Sequence, residues 1–77
     1  MGMQKDNPNA IHTETRKMRI QMVENTVKER DVMKKKLLAL TMLQFNTSRR
    51  TTLEYINVLI DAEIINEKDG ILSWIQR

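Results

Sequence analysis

A turn followed at once by a two-faced helix, between residues 46 and 62, constrains the fold of this chain more than any other feature. Asparagine tolerates the left-handed conformation that ends a helix. Ser48, or Thr47, can cap the next helix by accepting a bond from a free backbone N–H group. The turn Asn46-Thr47-Ser48 has the length that a helix-turn-helix uses. The helix that follows is predicted from Arg49 to about Ala62.

That helix divides cleanly into two sides when its residues are placed at about 100° intervals. The core side is formed by Thr52, Leu53, Ile56, Leu59 and Ile60, with Tyr55 at its edge. The opposite side, which we call the outward stripe, is formed by Arg50, Glu54, Asn57 and Asp61. One side is therefore predicted to pack against the protein, and the other to face outward.

The first of two helical segments before the turn is predicted from Thr13 to about Arg30. Its core-facing residues recur at helical spacing and are Ile20, Val23 and Val27. Charged residues cover most of the remaining circumference. Residues 1–12 are polar and show no helical spacing, so we expect a flexible N-terminal tail and a single domain over residues 13–77.

The second segment is predicted from about Lys34 to Phe45. It is apolar around most of its circumference, which indicates a helix buried on more than one side. We expect a break before it at residues 30–33, with a short extended segment at Val32-Met33. Because no glycine or proline stands there, one continuous helix over residues 13–45 is the alternative.

A β-hairpin is predicted at residues 64–75. Asp69-Gly70 is a strong hairpin signal, because a type I′ turn needs positive φ at both central residues. Ile64-Ile65 begins the first strand, and residues 71–75 form the returning strand. The expected fold class is mainly α with a small β-hairpin.

Composition excludes several kinds of site. A chain of 77 residues is one domain at most, and it buries only about 60% of its unfolded surface. The absence of cysteine excludes disulfides and thiolate metal sites, and a single histidine excludes a multi-histidine site within one chain. Neither a Ser/His/Asp set nor a glycine-rich phosphate loop is present. We therefore expect no enzyme and no cofactor, and no small-molecule ligand is evident.

Charge and hydropathy bear on partners and location. The net charge is +3, from 13 basic and 10 acidic residues, which permits binding to phosphates without requiring it. No apolar run approaches the roughly 20 residues that a membrane span needs. The start of the sequence has no apolar core of the kind found in secretory signals. We expect a cytoplasmic protein with no membrane partner.

The stretch "LLALTMLQFNTSRRTTLEYINVLIDAEIINEKDG" resembles the second helix, turn, recognition helix and wing of the winged helix-turn-helix family. Its part "SRRTTLEYINVLIDAEII" is the most similar, and the resemblance covers roughly residues 18–75. The chain looks most like the small single-domain archaeal members. It departs from the family pattern in two places, where Asn46 replaces a turn glycine and Glu63 replaces a glycine before the wing strand.

The resemblance implies binding to double-stranded DNA, with a recognition helix at about residues 48–62 and the hairpin as the wing. A helix N-terminus carries about half a positive charge and unpaired N–H groups, which suit a phosphate. Arginine can also read a guanine edge, and asparagine can pair with adenine. The expected contacts on this helix are Ser48, Arg49, Arg50, Thr51, Thr52 and Asn57. Contacts to flanking phosphates are expected from Lys34, Lys35 and Lys36, and the family wing adds Lys68.

Two carboxylates favour a different function. Glu54 and Asp61 lie on the outward stripe, where they would repel phosphates. The alternative is a winged-helix module that binds another protein and has no affinity for DNA, with Arg49 and Arg50 paired to Glu54 or solvated.

For a DNA-binding protein of this size we expect a transcription regulator acting as a homodimer, because two half-sites multiply specificity. Met18 and Met22 on the first helix are the expected dimer seam.

Overall fold

The structure is a computed structural model that describes residues 8–76, with side chains described from residue 14 onward. Three helices and three short strands make up this part of the chain. In order they are α1 (Pro8–Glu29), β1 (Val32–Met33), α2 (Lys34–Phe45), α3 (Arg49–Asp61), β2 (Ile65–Lys68) and β3 (Ile71–Trp74). The class predicted from the sequence, mainly helical with a small β-hairpin, is confirmed.

Helix α1 begins at Pro8, earlier than the predicted start at Thr13. Proline fits the first helical position because the N–H group it lacks would have no partner inside the helix there. The expected tail is therefore helical over residues 8–12, and its residues 1–7 lie outside the described part. The predicted break at 30–33 is confirmed, so the alternative of one continuous helix is wrong.

The extended segment after α1 completes a three-stranded antiparallel sheet in the order β1-β3-β2. Val32 is paired with Leu72, and Met33 with Ile71. The first N–H group of α2, on Lys34, donates to the carbonyl of Gly70 over 2.8 Å. Met33 provides no side-chain cap for α2. The hairpin turn therefore supplies the acceptor for one N–H group at the start of this helix, in place of a side-chain cap.

One hydrophobic core joins the three helices to the sheet. Its fully buried members are Val23, Val27, Leu37, Leu38, Ile56, Leu59, Ile65 and Leu72. The predicted core faces of α1 and α3 are confirmed, with Ile20, Leu53 and Ile60 packed at the margin. Tyr55, predicted at the edge of the core side, is only 3% exposed.

Helix α2 corrects one prediction. Leu37, Leu38 and Thr41 are buried, as expected of its core side. Leu40 and Leu43, however, are 52% and 80% exposed, so α2 is not buried on more than one side. An apolar pattern around a helix shows what could be buried, but not which neighbours exist to bury it. In the described part of the chain, the rest of the fold covers α2 from the core side alone.

Left-handed backbone occurs at the predicted turns and at one further position. Asn46 ends α2 with φ 54°, and the hairpin turn has φ 54° at Asp69 and 78° at Gly70. Glu63 also has positive φ, 60°. Glutamate stands here where the pattern that the sequence resembles has glycine, and the backbone still adopts the left-handed conformation that glycine favours.

The end of α3 has the hydrogen-bond pattern of a Schellman motif. Glu63 donates its N–H to the carbonyl of Ile60 over 3.0 Å, and Ile64 donates to Leu59 over 2.9 Å. These bonds satisfy carbonyls that a helix end otherwise leaves without partners. They also turn the chain directly into β2, so the hairpin is held beside α3. Among residues 8–76, no helix combines the length and hydropathy needed to span a membrane.

Candidate nucleic-acid interface

The start of α3 is fixed by a network of hydroxyl groups. The Ser48 hydroxyl accepts from the backbone N–H of Thr51 over 3.1 Å, which confirms Ser48 as the N-cap. The same oxygen donates to the Thr51 hydroxyl, also over 3.1 Å. The hydroxyls of Thr47 and Thr52 lie 2.8 Å apart. These bonds hold the turn and the first turn of α3 in one geometry.

Thr52 requires a correction. It was expected among the DNA contacts, but its side chain is fully buried. Its hydroxyl donates to the carbonyl of Ser48 over 2.9 Å and faces Thr47, so its polar atom is satisfied within the protein. It belongs to the core side of α3, where the helical spacing also put it. Thr51 is half-buried, and its hydroxyl is engaged by Ser48.

Arg49 and Arg50 are exposed at the start of α3. Within residues 14–76, whose side chains are described, neither guanidinium group forms an ion pair, and the first turn of α3 contains no acidic residue. Cations at a helix N-terminus are disfavoured by the helix dipole. An anion bound beside them would therefore be attracted both by the side chains and by the unpaired N–H groups.

The carboxylate of Glu54 is engaged by α1 and not by the arginines of α3. Arg16 Nη1 lies 3.7 Å from Glu54 Oε1, and both side chains are about half exposed. Among the described side chains Glu54 forms no ion pair with Arg49 or Arg50, so the alternative in which these arginines pair with Glu54 is not found in this structure. The contact with Arg16 also places a positive charge next to the one carboxylate in the middle of the outward stripe. At this exposure the pair contributes about 0–1 kcal/mol to stability.

Two arginines of α1 contact aromatic side chains of α2 and α3. The Arg16 guanidinium lies 5.6 Å from the centre of the Tyr55 ring, and Arg19 donates to the Tyr55 hydroxyl over 3.4 Å. Arg19 also lies 5.3 Å from the centre of the Phe45 ring. Sequence reasoning missed both residues. The sequence pattern that could have identified Arg16 is its helical spacing with Ile20 and Val23, which directs the aliphatic part of its side chain toward the core.

Lys34 is less available for a phosphate contact than the sequence predicted, because it forms an ion pair within the protein. Its Nζ lies 3.0 Å from Glu67 Oε1, and both side chains are half-buried. Glu67 is a third residue that sequence reasoning missed, because it lies in β2, far from Lys34 in the chain. Lys35 and Lys36 are exposed and form no ion pair within the described residues.

Two depressions meet at Arg49. The first is a groove between the starts of α2 and α3 and the hairpin turn, lined by Met33, Lys34, Lys35, Leu38, Arg49, Leu53, Glu67, Asp69, Gly70 and Ile71. The second lies along α3 and is lined by Arg49, Arg50, Leu53, Glu54 and Asn57. The structure thus brings together half of the expected contacts, Lys34, Lys35, Arg49, Arg50 and Asn57, around these two depressions. Lys36 and Lys68 are exposed but line neither depression, and Ser48 lies just before both.

The surface around these depressions has both charge signs. Lys35, Arg49 and Arg50 supply positive charge, whereas Glu67 and Asp69 form the hairpin side of the first groove. Its floor is apolar and includes Leu38 and Leu53.

Comparisons of the chain with protein-family models, curated proteins and solved structures find no match.

Proposed function

We propose that this protein is a winged helix-turn-helix domain that binds double-stranded DNA sequence-specifically and acts in the cytoplasm as a transcription regulator. The observation that carries the proposal is the exposed pair Arg49 and Arg50 at the N-terminus of α3, with no carboxylate partner among the side chains of residues 14–76. Cationic side chains and unpaired N–H groups at one helix start suit a phosphate backbone.

The order of the elements supports the family assignment. Three helices, with a short strand between the first two and a hairpin after the third, correspond to the arrangement that the resemblance implies. The short strand pairs with the returning strand of the hairpin, which joins the hairpin to the helices. In this proposal α3 is the recognition helix and the β2–β3 hairpin is the wing.

In the proposed mechanism, α3 enters the major groove with its outward stripe facing the bases. In this mechanism Arg50 reads guanine, and Asn57, about two helical turns later, reads adenine. Arg49, Lys35 and Lys36 neutralise phosphates, and Lys68 reaches a phosphate from the wing. Affinity should therefore fall with salt, with a log–log slope of about −0.9 per phosphate neutralised. A homodimer would present two recognition helices to two half-sites.

A charge-matched pair of variants tests the proposal. Arg49→Ala/Arg50→Ala removes two positive charges from α3, and Lys17→Ala/Arg30→Ala removes two from exposed positions on and after α1. We expect the first variant to lose at least about tenfold in affinity for duplex DNA, and to lose preference for its preferred sequence. The second should change affinity only slightly. Equal binding by the Arg49→Ala/Arg50→Ala variant and the unmodified protein would refute the proposal.

A protein-binding module is the second candidate, and the carboxylates of the same surface favour it. Glu54 and Asp61 are exposed on the outward stripe, and Glu67 and Asp69 line the groove beside it. NMR chemical-shift mapping with a short duplex separates the two functions. Shifts at residues 48–57, 34–36 and 68 support DNA binding. An unchanged spectrum at low salt favours the protein-binding module.

A further inference from the structure

We infer that Glu54 is the residue of α3 that reads cytosine, and that Arg16 of α1 positions its carboxylate for that contact. This role rests on the proposed function, because it assigns one base to a residue of the proposed major-groove surface. Glu54 lies between Arg50 and Asn57 on the outward stripe, and the three residues fall within about 60° of one another around the helix. Glu54 therefore faces the same groove as its two neighbours.

The four bases offer a carboxylate different partners in the major groove. An ionised carboxylate accepts hydrogen bonds and donates none. Guanine presents two acceptors there, and thymine presents a carbonyl oxygen and a methyl group, so neither supplies a donor. Adenine combines a donor with an adjacent acceptor, whereas cytosine presents its N4 amino group alone. Cytosine is therefore the base that an outward-facing glutamate selects.

The carboxylate of Glu54 keeps its acceptor capacity for such a contact. Its Oε1 lies 3.7 Å from Arg16 Nη1, which is close enough for an ion pair but too far for a hydrogen bond. Among the described residues neither carboxylate oxygen accepts a hydrogen bond, and the side chain is 51% exposed. Both oxygens are therefore available to an amino group in the groove.

Arg16 keeps this carboxylate apart from the arginine that precedes it on the helix. Arg50 and Glu54 are four residues apart, a spacing at which oppositely charged side chains pair along a helix. In the structure Glu54 pairs with Arg16 instead, and Arg50 forms no ion pair among the side chains of residues 14–76. The Arg50 guanidinium is thus left for a base. The charge of Arg16 also offsets the repulsion between Glu54 and the phosphates beside the groove.

The guanidinium group of Arg16 is itself oriented by α3. It lies 5.6 Å from the centre of the ring of Tyr55, a residue that is only 3% exposed. A cation over an aromatic ring is attracted to its face, so this buried ring fixes the guanidinium beside Glu54. Because Arg16 acts through the carboxylate and needs no contact with a base, it is a positioning residue.

The spacing along α3 also indicates where the cytosine lies. At a rise of about 1.5 Å per residue, Glu54 is about 6 Å beyond Arg50 and about 4.5 Å before Asn57. With α3 in the major groove, these distances correspond to about one to two base pairs at about 3.4 Å each. The cytosine is therefore expected between the guanine read by Arg50 and the adenine read by Asn57.

Selection from a library of randomised duplexes, carried out with the full chain, tests the role of Glu54. The unmodified protein should prefer cytosine at one position by at least about fivefold over each other base. Glu54→Ala should lose the preference at that position and keep the preferences at the flanking positions. Glu54→Gln should prefer adenine there, because glutamine pairs bidentately with adenine. Both replacements are good helix formers, so α3 should persist.

Asp61→Asn is the matched control for the loss of negative charge. It removes an exposed carboxylate from the same stripe, about two helical turns beyond Glu54. This variant should retain the cytosine preference. A Glu54→Ala variant that still prefers cytosine would overturn the inference and leave DNA binding intact. So would one that binds every sequence more tightly with no change in base preference, since Glu54 would then only repel phosphates.

Arg16→Ala tests the positioning role. Glu54 is then free to pair with Arg50, so both the cytosine preference and the overall affinity should fall. Arg16→Ala/Glu54→Ala should bind more tightly than Arg16→Ala, because the uncompensated carboxylate is gone. A merely structural role would lower stability without changing the preferred base, so an unchanged preference in Arg16→Ala would overturn the positioning role. An unmodified protein that binds no duplex even at low salt would instead overturn the proposed function itself.

Discussion

Lys34 Nζ lies 3.0 Å from Glu67 Oε1, which joins the first residue of α2 to the first strand of the hairpin. This ion pair lies at the groove where the proposed wing, α2 and α3 meet. In the proposed DNA complex, this carboxylate competes with phosphates for Lys34. Glu67 is therefore expected to limit the affinity of the proposed DNA-binding surface.

The first prediction concerns Glu67→Gln. The variant should bind duplex DNA a few-fold more tightly, and its log–log salt slope should become steeper by about 0.9, because Lys34 gains a phosphate in place of the carboxylate. Fluorescence anisotropy over a range of salt concentrations measures both quantities. Glu29→Gln removes an equal charge from the exposed end of α1 and should have little effect. Unchanged affinity and slope in Glu67→Gln would show that Lys34 is not a DNA contact.

The second prediction concerns the cap of α3. Ser48→Ala should lower the free energy of unfolding by about 1 kcal/mol, because the N–H group of Thr51 loses its acceptor. Ser48→Asp restores an oxygen acceptor and should recover most of that loss. Urea unfolding followed by circular dichroism measures the difference. Equal stability of Ser48→Ala and the unmodified protein would mean that the hydroxyl network contributes nothing to the start of α3.

The third prediction concerns the hairpin turn. Gly70→Ala should destabilise the protein by about 1–2 kcal/mol, because a side chain at φ 78° strains the backbone. A Cβ atom added at Gly70 would meet nothing within 4 Å beyond its own chain neighbours, so the cost comes from local backbone strain and not from contacts with the rest of the protein. Gly70→Asn should cost less, since asparagine tolerates left-handed backbone. The two melting temperatures, compared with that of the unmodified protein, test this ranking.

The fourth prediction concerns Trp74. Its indole Nε1 is buried without a hydrogen-bond partner in the described part of the chain, which is costly for a donor. Trp74→Phe removes that N–H group but keeps a ring near Lys28, whose Nζ lies 5.0 Å from the centre of the indole ring. We expect Trp74→Phe to change the free energy of unfolding by less than about 1 kcal/mol, and Trp74→Leu to cost more. If both variants cost the same, the ring contact has no energetic role.

Local sequence signals predicted the turns and helix ends, because their causes lie within a few residues. The cap at Ser48, the left-handed Asn46 and the Asp69-Gly70 turn all follow from backbone preferences of those residues. The break before α2 was also recognised. The three turn features are determined by neighbours in the chain, whereas the break also depends on the long-range pairing of β1 with β3.

Long-range contacts of charged side chains were not predictable in the same way. Glu67 pairs with Lys34 and Glu54 with Arg16 across elements that only the folded chain brings together. The exposure of Leu43 was missed because an apolar pattern does not identify its neighbours. Thr52 was predicted both on the core side of α3 and among the DNA contacts. In the structure its side chain is buried in the core.

The hydrogen bond from the Lys34 N–H group to the Gly70 carbonyl has a consequence for motion. A wing on a long loop can adjust to its target while the helices stay in place. Here the carbonyl of Gly70, in the two-residue turn, accepts a hydrogen bond from the N–H group of Lys34, the first residue of α2. Swinging the hairpin away would break that hydrogen bond and begin to unravel the helix, so the two should open as one cooperative unit, with matching amide exchange rates at Lys34 and along β3.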